Sequence, residues 1–282
     1  MMTTQATEPT ASGDLARQIT VAVSAVAAVV GAFIGSGAAG GTPIQDAAGG
    51  ALAADATLIA PGGPAFAIWS VIYLGLLAYA VWQFLPGQRA DERHRRVGYP
   101  IAASLVLNAA WILSIQFDLL WLSVPVIVVL LLVLVYAFGQ CLAYPPKNVV
   151  DAIVTDGTVG LYLGWVIVAT AANVTAALVA AGFDGWGIPP ATWAVGVVAV
   201  AGLVGGALAV WDHGRIAPTL SLCWGLAWIA IARLTDAPSS AVTGIAAIVA
   251  VVAVLVATVT ARVAAELRRR RTTHRPPAAP AA

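Results

Sequence analysis

Ten tryptophans stand in this chain of 282 residues, and three of them sit in patterned company. Trp69 and Tyr73 are four apart, Asn108 and Trp111 three apart, and Trp165, Ala169 and Asn173 follow at four-residue steps. On helices, each set lies along one face. An aromatic plane beside a hydrogen-bonding group suits the holding of a flat apolar molecule by its faces, with its polar edge oriented. The competing reading is interhelical packing, with asparagine joining helices for roughly 0.6–2 kcal/mol. Other chemistry finds no comparable pattern: there is no His-Glu-x-x-His, no Gly-x-Ser-x-Gly and no phosphate-binding glycine loop. Asp118, Asp151, Asp156, Asp212 and His213 fall near the ends of apolar runs and read as solvated loop residues. With charges so placed, an ion-coupled transporter is disfavoured, because ion pathways are marked by charges within the bilayer. Cys141 and Cys223 lie inside apolar runs and read as structural thiols. No enzymatic activity, resident cofactor or metal is expected.

The elements that must position these residues follow from composition. The chain is 60% hydrophobic and 10% charged, against roughly 25% charged in soluble domains. Several apolar runs exceed the ~18 residues that cross a bilayer core of about 30 Å. These features predict an all-α integral membrane protein with about eight transmembrane helices, near 19–37, 64–85, 99–116, 119–141, 157–180, 191–211, 217–234 and 240–265. Residues 1–17 and 267–282 read as disordered tails. The first run reads as a retained span and not a cleaved leader, since it is long and Glu8 and Asp14 dilute any basic flank. Gly31 and Gly35, four apart, invite close approach of another helix.

Charge sets an orientation. With eight spans, Arg17, Arg89, Arg93, Arg95, Arg96, Lys147, Arg215, Arg262, Arg268 to Arg271 and Arg275 share one side, and only Arg233 falls on the other. The basic side is cytoplasmic by the positive-inside rule, so both termini are expected there. The Arg, Ala and Val bias suits a high-GC bacterium and its cytoplasmic membrane.

Three segments resemble the TspO/MBR family, the tryptophan-rich sensory proteins related to the mitochondrial translocator protein. They are Pro61-Gly-Gly-Pro-Ala-Phe-Ala-Ile-Trp-Ser-Val-Ile-Tyr73, Leu107-Asn-Ala-Ala-Trp111, and Tyr162-Leu-Gly-Trp-Val-Ile-Val-Ala-Thr-Ala-Ala-Asn173. The third is the most specific. In the first, Phe66 sits one residue closer to Trp69 than the family places it, and Ala67-Ile68 replaces Gly-Pro.

The resemblance covers residues 18–181, a five-helix TspO-like bundle, and leaves a three-helix C-terminal membrane extension over 182–266. It implies that Phe66, Trp69, Tyr73, Asn108, Trp111, Trp165 and Asn173 form a pocket for a tetrapyrrole or a sterol- or lipid-like molecule. It further implies a sensing or transport role. Trp224 and Trp228 on helix seven read as packing. A small-molecule permease or exporter not coupled through buried carboxylates and a structural membrane subunit are the alternative readings. The expected partners are the lipid bilayer and a hydrophobic small molecule; no nucleic acid is expected, and a homodimer is left open.

Overall fold

The computed structural model describes residues 11–273. Eight helices in it are long and apolar enough to cross a membrane, and the chain is an all-α integral membrane protein. We label them α1 (Ala11–Gly35), α2 (Ile68–Trp82), α3 (Glu92–Gln116), α4 (Leu120–Ala143), α5 (Val149–Ala180), α6 (Pro190–Trp211), α7 (Ile216–Thr235) and α8 (Ala241–Thr273). A 3-10 turn, Gly63–Ala67, leads into α2, and α5 carries one π-helical stretch at Ala152–Gly157.

Three helices begin earlier than hydropathy suggests. Residues 11–17, read as part of a tail, are helical; residues 1–10 lie outside the description. Helix α3 begins at Glu92, with the Asp91 carboxylate capping the Arg93 N–H at 3.0 Å, so Pro100 is interior and not in the first turn. Helix α5 begins at Val149 under the Asn148 cap, which accepts the Asp151 N–H at 2.8 Å. One cause covers all three. The added turns carry charged residues that are paired inside the bundle, and a hydropathy average counts them as soluble. Helix α8 likewise continues to Thr273, into the stretch read as a tail from 267; residues 274–282 are outside the description.

Neighbouring helices pack in the order α1, α3, α4, α5, α7, α8 and α6, with α2 against α1 and α5. Small residues set the close approaches. A Cβ on Gly31 would stand 3.1 Å from Ala109 of α3, and one on Gly35 would stand 2.8 Å from Ile112. The α1 glycines therefore serve a contact within the chain. At the α5–α7 seam, a Cβ on Gly164 would overlap the Pro218 carbonyl, and one on Gly225 would press on Val168 at 3.0 Å. Helix α7 is thus seated in α5 and is not a loosely attached addition.

Gly164→Ala should therefore lower the melting temperature, the overpacking costing about 1–3 kcal/mol. Gly196→Ala, at an exposed position in α6 with nothing within 4 Å of the new Cβ, should be neutral or slightly stabilising. Thermal unfolding of the two variants checks the α5–α7 contact, and equal effects would contradict it.

Candidate functional site

Antiparallel helices divide the loops between two ends of the bundle. One end carries the segments 36–62, 117–119, 181–189 and 236–240, and the aromatic residues gather beneath it. There a narrow pocket is lined by Phe66, Trp69, Trp111, Trp165 and Asn173. Ala169, Ala172 and Ala176 of α5 form a low wall, and the 36–62 loop supplies Leu52, Thr57 and Pro61. The rings meet mostly edge to face. Trp69 lies 5.8 Å from Tyr162 and 6.2 Å from Trp165, and Phe66 lies 5.8 Å from Trp165. With the loop in place, the free space holds only a few waters. A flat four-ring molecule needs the loop to move.

Tyr73 and Asn108 are not part of the pocket lining: Asn108 Nδ2 donates to Tyr73 Oη at 2.6 Å, and the Tyr73 ring lies behind Trp69 at 5.6 Å. Asn173 lines the pocket, but its Oδ1 accepts from Trp111 Nε1 at 3.1 Å and its Nδ2 donates to Ser123 Oγ at 2.9 Å. Both amides therefore join helices, as the packing alternative has it. Ser123 and Tyr162 complete this framework, and neither stood out as a site residue. Tyr162 had a signal, as the first residue of the third family-like segment. Ser123 had none.

The loop is held largely from α7. Arg233 Nη1 donates to the Thr57 carbonyl at 3.1 Å and to the Pro238 carbonyl at 3.0 Å, while Nη2 donates to the Ala54 carbonyl at 2.8 Å. Trp224 Nε1 donates to the Ala65 carbonyl at 2.9 Å, and the Gly62 N–H donates to the Trp228 carbonyl at 3.3 Å. Across the mouth, exposed Asp118 accepts the Ala48 N–H at 3.1 Å. Trp224 and Trp228 lie outside the lining and fasten its cover.

The opposite end corrects the reading of the acidic residues. Asp118 and His213 are exposed, but Asp151, Asp156 and Asp212 are buried. Arg93 of α3 pairs with Asp156 and, through Nε at 3.2 Å, with Asp151; Asp156 also pairs with Arg215 Nη1 at 2.8 Å. Thr155 Oγ1 donates to Asp151 at 2.8 Å, and His94 Nε2 faces Gln88 Oε1 at 3.0 Å. Arg95 holds Asp14 of α1 in a two-pronged contact at 2.8 and 2.7 Å. Sequence missed this network because its ion pairs, Arg93 with Asp151 and Asp156, Arg215 with Asp156 and Arg95 with Asp14, join residues more than 50 positions apart. At its margin, burial works against the Asp91 carboxylate, but the Lys147 ammonium at 2.6 Å and the Arg93 N–H hold its pKa below the ordinary value.

Asp212 differs. Its Oδ1 caps Gly214 and Arg215 at 2.9 and 3.0 Å, yet burial pushes its pKa up to about 6 against that help and the nearby charges of Arg215 and His213. A carboxyl whose folded-state pKa is raised favours the fold while protonated. The benefit is complete below the unfolded value near 3.8 and lost as pH rises through about 6. Asp212→Asn keeps the capping oxygen without the charge. It should raise the melting temperature at pH 7 to 8, with the advantage fading toward pH 4. A difference that does not change with pH would contradict this.

Neither a curated protein nor a solved structure matches the chain. A family profile described as TSPO-like protein matches residues 21–260, running through all eight helices, including the three that the resemblance left outside. The chain belongs to the TSPO-like protein family.

Proposed function

We propose that this TSPO-like membrane protein binds a hydrophobic small molecule, a tetrapyrrole or a sterol- or lipid-like compound, in the pocket beneath the 36–62 loop. The observation that carries the reading is convergence. Phe66, Trp69, Trp111, Trp165 and Asn173 come from three separate segments and line one pocket. The lining contains no titratable side chain, which supports binding over acid–base catalysis. The role is sensing or transport. We place the protein in a bacterial cytoplasmic membrane with both termini inside, on the strength of the Lys and Arg bias.

A second reading, a small-molecule permease, gains from the buried charges of Arg93, Asp151 and Asp156, which pair with one another and with half-buried Arg215. Charges of this kind commonly mark transport routes in membranes. Uptake or release by proteoliposomes separates a permease from a binder.

Protoporphyrin IX should quench the tryptophan fluorescence of the purified protein saturably. Trp165→Phe, which removes part of the inner wall, should weaken the fitted affinity about 10-fold, equivalent to about 1.4 kcal/mol. Absence of saturable quenching by any tetrapyrrole or sterol would defeat the ligand reading.

A further inference from the structure

Arg233 is the one cation that the charge count left on the pocket side of the chain, and it is 1% exposed. A buried guanidinium is ordinarily matched by a carboxylate. Here no carboxylate among the described residues pairs with it. Asp55 and Asp236 act on it from a distance, and both are exposed to solvent. Its partners are three neutral carbonyls, those of Ala54, Thr57 and Pro238, and its Nε is buried without an acceptor. Two of those carbonyls belong to the loop that covers the pocket, and Thr57 itself lines it. The lining brings no charge of its own.

We propose that Arg233 is the carboxylate-recognition residue of the pocket, and that the ligand it selects is a flat apolar acid. The proposal rests on the ligand reading above and narrows it. A carboxylate reaching Arg233 replaces the Ala54 and Thr57 carbonyls with a charge-assisted, two-pronged partner, which the planar guanidinium favours over neutral acceptors. The exchange removes two of the hydrogen bonds that tie the loop to α7, leaving Gly62 on the Trp228 carbonyl, so recognition of the acid loosens the 54–57 part of the loop. An ester or hydrocarbon of the same shape cannot make it and meets a loop that stays fastened. On this account α7 brings the charge that selects among apolar molecules, while α2, α3 and α5 supply the aromatic walls.

The test compares protoporphyrin IX, a diacid, with its dimethyl ester on the full-length protein in lipid nanodiscs. Affinities are referred to ligand already partitioned into the bilayer. Wild type should bind the acid at least about 10-fold more tightly than the ester. Arg233→Gln should bring the two affinities together, and Arg233→Lys should keep part of the gap. Equal affinity of acid and ester for wild type would overturn the proposal while leaving the pocket reading intact. Failure of both ligands to bind would remove the pocket reading and this proposal with it. The wild-type comparison is decisive even if a variant does not fold.

Discussion

Arg93 of α3 reaches two carboxylates of α5, and one of them, Asp156, passes the contact to Arg215 at the head of α7. Within a bilayer an unpaired charge has no water to fall back on, so breaking such a group costs several kcal/mol. The contact therefore pins three helices at one end, and these helices carry most of the site toward the other. Trp165 lies nine residues beyond Asp156, about 13 Å along the helix. Trp111 lies eighteen beyond Arg93, and Arg233 eighteen beyond Arg215, each about 27 Å away. Clamping one end fixes which faces meet at the opposite end. The pocket inherits its register from charges that never touch it.

Glycines convert that register into close contact. Gly164 admits the Pro218 backbone and Gly225 admits Val168, so α7 lies against α5 along its length. Helix α7 then presents Trp228 and Arg233 to the 36–62 segment and Trp224 to the 3-10 turn that follows it, and each holds the chain at or near a pocket-lining residue. The loop buries Ala47 and Ile59 in the core, and α7 adds hydrogen bonds to that packing.

What sequence revealed and what it hid divide along the same line. Apolar runs made the eight spans legible, and four-residue spacing made the Trp165–Asn173 face legible. Five of the seven residues singled out line the pocket, while Tyr73 and Asn108 hold each other. The polar helix starts at Asp14, Arg93 and Asp151 were hidden, because hydropathy scores a paired charge and a solvated one alike. Arg233 was visible only as a lone basic residue, with nothing to show that the Ala54 and Thr57 carbonyls, more than 170 residues away, close around it. The family-like segments all lie in the first five helices, whereas the profile match runs through the other three as well. Resemblance in three local segments says nothing about a seam formed by Gly160, Gly164 and Gly225 against facing helices.

In the ligand-free protein α7 fastens the 36–62 loop over the aromatic pocket. Amide hydrogen exchange across residues 48–62, measured in nanodiscs without ligand, addresses this fastening most directly. Exchange should be far slower than that of an unstructured peptide, with Gly62 protected through its bond to the Trp228 carbonyl. Exchange across the whole segment at free-peptide rates would contradict it.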